Sequence, residues 1–260
     1  MAKGWRVPLV AAALGAGVGS VVFAPARWWA VVVDHTTQGR VQLQYTQGTV
    51  WRGRADVILT GDGGVLRLPG GLAWDWGWTA TPRPAVTVTL TLPCCATSPW
   101  VWRLTRSDTG WMVTTDAQRL TADLAWLSAL GSPWNTLGLQ GTVAVEVAPV
   151  RWPLGTATAD PANDGLRWTA RVTDLSSTVA TVRPLGSYRL EGAWTPAGGP
   201  TLTLSTLSGD LRLEGSGGWE RGRFRFQGLA QATPQRLEAL SNLLNLLGRR
   251  DGDRAHLKIG

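Results

Sequence analysis

The chain has 260 residues, with 25 Lys and Arg against 18 Asp and Glu and a formal net charge of +7. At 44% hydrophobic residues and 16 Trp it is too apolar and too aromatic for a disordered chain, and two Cys cannot staple a small disulfide fold. Only Lys3 and Lys258 are lysines and no basic run exceeds Arg249-Arg250, so a nucleic-acid-binding stripe is not indicated.

Val7 to Ala24 is an uncharged run, VPLVAAALGAGVGSVVFA. About 20 apolar residues cross a bilayer core, so Val7, Leu9, Leu14, Val18, Val21, Val22 and Phe23 are predicted to form a membrane anchor. Lys3 and Arg6 precede the run and the next acid is Asp34. Positive charge favours the cytoplasmic side, which sends everything after about residue 25 outward. Trp28 and Trp29 follow where an aromatic belt would lie. A cleaved signal peptide fits as well, because Ala24-Pro25-Ala26 has the small-x-small form. Both readings divide the chain into a segment 1–26 and an exported segment 27–260.

The remainder reads as strands. Trp74, Trp76 and Trp78 fall on one face of a strand, with Asp75 and Gly77 on the other. Val86, Val88, Leu90 and Leu92 alternate with threonines. Trp100 and Trp102 repeat the aromatic pattern, and Val143, Val145 and Val147, Leu202 and Leu204, Leu211 and Leu213, and Phe224 and Phe226 continue the period of two. One dry and one wet face is the antiparallel pattern. Turn signals at Gly61-Asp62-Gly63-Gly64, Pro82-Arg83-Pro84, Ala197-Gly198-Gly199-Pro200 and Gly215-Ser216-Gly217-Gly218 keep the connections short. The expected architecture is mainly β, an antiparallel and curved meander behind an N-terminal transmembrane helix. Two short helices interrupt it. One is capped by Thr121 and ends before Gly131, with Leu124, Leu127 and Leu130 as its apolar side. The other runs from Thr233 as N-cap and Pro234 as first residue to Gly248 as C-cap, with Leu237, Leu240, Leu244 and Leu247 in one stripe that packs on the sheet. Asp251-Gly252 turns the chain into a last strand, Ala255 to Ile259.

Catalytic chemistry finds little support. A nucleophile needs a base within reach, and the two histidines, His35 and His256, lie in no recognisable motif. No nucleophile elbow, metalloprotease helix or phosphate loop occurs. Asp160 and Asp164, like Asp251 and Asp253, sit among Gly, Pro and Asn and read as solvated turn acids. Cys94-Cys95 lacks the spacing of a redox pair; idle thiols, a vicinal disulfide and an intermolecular disulfide all fit it. No catalytic, cofactor or metal-ligating residue is assigned. Trp74, Trp76 and Trp78 form the candidate interaction surface, either half of a β core or a row that stacks sugars or lines an apolar groove.

Three stretches carry a family resemblance: GTVWRGRADVILTG at 48–61 with LAWDWGW at 72–78, TVRPLGSYRLEGAW at 181–194, and the block from LSGDLRLEGSGGWERGRFRFQGLAQATP through LEALSNLLNLLGRRDGD at 207–253. In their order they resemble the protein N family of type II secretion systems (general secretion pathway protein N). The resemblance implies a short cytoplasmic N-terminus, one inner-membrane span and a β-rich periplasmic domain. The expected function is that of a non-enzymatic accessory component supporting export of folded periplasmic proteins across the outer membrane. Its expected partners are other secretion subunits at the inner membrane and the bilayer itself. A more distant likeness to AsmA-type β-proteins implies the alternative, a lipid- or glycan-binding module using the Trp-lined surface. No catalytic residue carries over from either.

Overall fold

Alternation of apolar and polar side chains gives each strand one face to bury, and strands of this kind are stable only side by side. A computed structural model of the chain describes residues 15–260 apart from 18, 62–63, 81–83, 108–109, 131–133, 156–159, 161–163, 196–198, 221–222 and 260. Residues 15–17 and 19–22 are helical and lead through Ala24-Pro25-Ala26 into helix α1 (Arg27–Thr36). None of the described helices is long and apolar enough to cross a membrane. Of the expected anchor, Val7, Leu9, Leu14 and Val18 lie outside the described residues, whereas Val21, Val22 and Phe23 are described and exposed.

Seven strands follow: β1 (Val41–Gly48), β2 (Arg52–Gly61), β3 (Gly64–Arg67), β4 (Leu72–Thr79), β5 (Ala85–Thr91), β6 (Trp100–Ser107) and β7 (Gly110–Thr115). The chain then starts a second sheet with β8 (Gln118–Asp123) and β9 (Leu139–Val147), and returns to the first with β10 (Val150–Leu154). The second sheet continues through β11 (Leu166–Ser177), β12 (Gly186–Thr195), β13 (Gly199–Gly209), β14 (Leu211–Glu220) and β15 (Arg223–Ala232). Helix α2 (Trp134–Leu137) precedes β9, and helix α3 (Leu237–Leu247) precedes the closing hairpin of β16 (Arg249–Asp251) and β17 (Arg254–Ile259). The first sheet has the order β1-β2-β4-β5-β6-β7-β10, with β3 also on β2; the second has β16-β17-β15-β14-β13-β12-β11-β9-β8. The pairings are antiparallel, as the short turns require. The sheets meet along a seam where Arg151 bridges Gly165, Ala96 bridges Leu120, and Trp152 meets Trp194 edge to face at 5.5 Å.

Register makes the first sheet amphipathic. Trp74, Leu90 and Trp100 form one row, and Trp76, Val88, Trp102, Thr115 and Val150 the next. Trp78, Val86, Leu104, Val113 and Trp152 form a third. Behind these lie Asp75, Thr87, Thr89, Arg103, Thr114 and Arg151. In the second sheet a single row crosses seven strands from Val145 through Ala170, Leu190, Leu204, Gly215 and Gly228 to Leu257. Helix α3 closes part of this face, with Leu240, Leu243 and Leu244 buried against Leu185, Leu211, Ala230 and Ala255. The leucine stripe therefore packs on the sheet, as its spacing predicts; Leu237 and Leu247 flank it, partly buried.

The helix ends keep some of the expected residues but not the expected geometry. Thr121 lies within β8, paired with Ala144, and the segment after it is a 3-10 helix (Leu124–Leu130) whose first turn is held by Asp123, which accepts the Ala125 N–H at 2.8 Å. Thr233 is the N-cap residue and Pro234 the first residue of a 3-10 turn, Pro234–Arg236, that leads into α3 at Leu237, but the Thr233 hydroxyl makes no cap bond and donates to Asp210 Oδ1 at 3.1 Å instead. Gly248 is the C-cap of α3, as its place predicts, with its N–H donating to the Leu244 carbonyl at 3.3 Å, but it is extended, at φ 174°, rather than left-handed. Its requirement is space, since a Cβ there would lie 2.1 Å from the His256 carbonyl oxygen of β17.

Candidate functional site

The first sheet is held to the N-terminal segment by a junction of four tryptophans. Ala24 and Ala26 are buried at 2% and 1% exposure against the loop between β1 and β2. The Ala26 N–H donates to the Gly48 carbonyl at 3.1 Å, and the Val50 N–H donates to Ala24 at 2.9 Å, so residues 24–26 lie beside the loop like a short extra strand. A buried indole N–H needs an acceptor, and the loop supplies them. The Val50 carbonyl accepts from Trp29 Nε1 at 2.9 Å and Trp74 Nε1 at 3.1 Å. Trp51 reaches the other way and donates to the Val21 carbonyl at 2.9 Å, while its own carbonyl accepts the Trp76 N–H at 2.7 Å. Trp76 stacks on Trp29 at 6.4 Å and meets Trp51 edge-on at 5.8 Å.

The glycines of the GTVWRGR stretch make this approach possible. Gly48 sits at φ +90°, a left-handed conformation, with the Arg52 carbonyl 2.3 Å from where a Cβ would be. A Cβ on Gly53 would lie 2.5 Å from the Trp74 ring. Arg52 and Asp75 pair at 2.7 Å, and Arg54 donates to Gln47 Oε1 at 2.9 and 2.7 Å; these contacts are exposed and set orientation more than stability.

The predicted tryptophan row is thus unevenly covered. Trp74 is buried, Trp76 is half-buried, and Trp78 is 66% exposed. The cover over the first two is α1, because α3 sits on the other sheet. Between α1 and the row, Trp29, Val33, Leu43, Leu72, Trp74, Trp76, Val88 and Leu90 line an open apolar pocket of about 210 Å³. Trp100 and Trp102 lie on the same face, 5.1 Å apart. Sequence reasoning missed the partnership of Trp29 with the 48–51 loop, since nothing local couples residues more than twenty positions apart.

A second cavity of about 400 Å³ lies on the apolar face of the second sheet, between the 3-10 segment and α3. Its lining is almost wholly aliphatic. The two hydroxyls beside it are committed elsewhere, Ser177 to the Leu137 carbonyl at 2.5 Å and Tyr188 to the Leu211 carbonyl at 2.8 Å. Burial of the Tyr188 phenol disfavours its anion and holds its pKa above the ordinary tyrosine range.

The residues considered for chemistry are dispersed. His35 is exposed on α1 and His256 is exposed on β17. Asp164 is not a solvated turn acid: it is 2% exposed, accepts the Asp160 N–H at 2.7 Å, and faces Arg151 at 3.5 Å. Its role is to staple the loop beside the seam. Cys94 and Cys95 form a vicinal disulfide in the turn after β5. No group of three or more His, Cys, Asp or Glu among the described residues is placed to hold a metal ion.

What the fold and the junction define is an all-β protein of two amphipathic antiparallel sheets, tied by tryptophans to an apolar N-terminal segment. The family model of type II secretion system protein N matches residues 39–257, and the chain belongs to that family. It is therefore a component of a type II secretion system. No curated protein and no solved structure matches the chain.

Proposed function

We propose that this chain is a non-enzymatic, accessory inner-membrane component of the type II secretion system, supporting export of folded periplasmic proteins across the outer membrane. In this reading the run from Val7 to Ala24 spans the inner membrane once, residues 1–26 form the cytoplasmic end and anchor, and residues 27–260 stand in the periplasm. The observation that carries it, beside family membership, is the tryptophan junction. A flexible tether would need no such fastening, whereas a sheet held at a fixed angle to its anchor does. Held so, the exposed end of the tryptophan row at Trp78 is available to neighbouring subunits, and it is the proposed contact surface. The test is a photo-crosslinking residue at Trp78, followed by purification from membranes. Adducts with other inner-membrane subunits of the apparatus are expected; adducts absent at Trp78 but present at Thr105, on the opposite face, would place the contact elsewhere.

A second reading, ligand binding, is favoured by one observation, the aliphatic cavity under α3. It offers no polar group to a sugar, so its occupant would be a hydrocarbon chain rather than a glycan. Native mass spectrometry of the purified chain, with and without Leu204→Trp to fill the cavity, tests it. A bound lipid that disappears in the variant supports this reading, and an empty wild-type protein removes it.

A further inference from the structure

Helix α1 is apolar on two sides. Trp29 and Val33, one turn apart, face the sheet and line the pocket over Trp74 and Trp76. The outward side carries Trp28, Val31 and Val32, which are 51%, 68% and 48% exposed, and in the last turn the exposed His35. A helix on the rim of a sheet facing only water would present polar residues there. Just upstream, Val21, Val22 and Phe23 are also exposed, Phe23 at 77%. They are fixed relative to α1, because Trp51 holds the Val21 carbonyl and the intervening Ala24 and Ala26 are buried in the junction.

The exposed apolar side thus continues directly from the uncharged run, which ends at Ala24, three residues before α1 begins. Its charges fit the boundary of a membrane: Arg27 stands at the start, and the first acid, Asp34, comes only in the last turn. Trp and Val on one side with a cation at the rim is the composition of a helix lying in an interface. We propose that α1 is an interfacial helix that rests on the periplasmic surface of the bilayer, with Trp28, Val31 and Val32 entering the boundary between headgroups and acyl chains. The proposal rests on the anchored reading above. Its consequence is that the first sheet has a set orientation. One side of α1 grips the lipid and the other grips Trp74 and Trp76, so the strands cannot swing about the anchor.

The test uses the full chain reconstituted in vesicles of phosphatidylethanolamine and phosphatidylglycerol whose acyl chains carry nitroxide groups. Single substitutions Val21→Cys, Val31→Cys, Val32→Cys and Glu238→Cys, each carrying a nitrobenzoxadiazole label, report contact with the chains by quenching. Glu238 is exposed on α3 and serves as the reference for a water-facing site. Quenching at Val31 and Val32 as strong as at Val21, with none at Glu238, is the expected result. Quenching at Val21 alone overturns the interfacial helix while leaving the anchor in place, and passes the exposed side of α1 to a protein subunit. No quenching at any position removes the anchor and the interfacial helix together. Quenching at Val31 and Val32 but not at Val21 keeps α1 on the lipid and removes the anchor alone.

Discussion

Single side chains decide whether the junction closes. Gly53 is the sharpest case, because any Cβ there meets the Trp74 ring at 2.5 Å and the Gln47 carbonyl at 2.6 Å. Gly53→Ala must displace the ring that donates to Val50. Overpacking of this kind costs about 1–3 kcal/mol, so the detergent-solubilised chain is expected to melt several degrees lower; an unchanged melting temperature would mean that Trp74 yields freely. Tyr188 sets a second test. Its pKa is raised in the fold relative to the unfolded value of about 10. The stability linked to it is fully present below about pH 10 and is lost as pH rises above that toward the folded value, because the unfolded chain releases the proton first. Wild type should therefore lose stability steadily above pH 10, and Tyr188→Phe, although weaker at neutral pH for want of its bond to Leu211, should show a shallower alkaline decline. Equal alkaline slopes would contradict the burial of the phenol.

At the scale of elements, α3 is the piece on which the second sheet depends. Leu240, Leu243 and Leu244 are 0–3% exposed, and truncating a buried Leu costs about 2–5 kcal/mol. Against a typical domain stability of about 5–15 kcal/mol, Leu240→Ala with Leu244→Ala should nearly unfold the protein and lower its abundance in membranes. Normal abundance with an unchanged melt would instead mark α3 as a docking surface. This element was legible in the sequence because a helix buries a stripe that repeats every three to four residues, and the strands because a half-buried sheet repeats every two. The positions of the helix's ends were legible, Thr233 and Gly248 both standing at caps as read, but their geometry was not: the Thr233 hydroxyl turns to Asp210, and Gly248 is extended where β17 comes close. Asp164 escaped for the same reason, and the Cys94–Cys95 bridge could be read only as one of three alternatives. Their state is set by neighbours, not by flanking composition. The tryptophan junction was only half legible. The row Trp74, Trp76 and Trp78 follows from alternation, but its division into buried and exposed ends depends on where α1 lies, and that depends on a loop 20 residues downstream.

For the whole molecule, two amphipathic sheets are tied by the junction to the N-terminal segment of a member of the protein N family, and the proposed anchor is what would set that body at a fixed attitude to a membrane. A reporter joined after Gly260 should be active only outside the cytoplasm, and peptides from the Met1 region should remain in the mature protein; a mature N-terminus at Arg27 would replace the anchor with a cleaved signal. Family membership places the chain in the secretion system, and what the junction adds is the claim that attachment matters to the work. The most direct test is to count folded type II substrates in the periplasm and in the medium of cells whose only copy has residues 1–26 exchanged for a cleaved signal peptide. The account predicts a released protein that folds and accumulates in the periplasm, with substrates retained there instead of exported. Export at the wild-type level from those cells would contradict it.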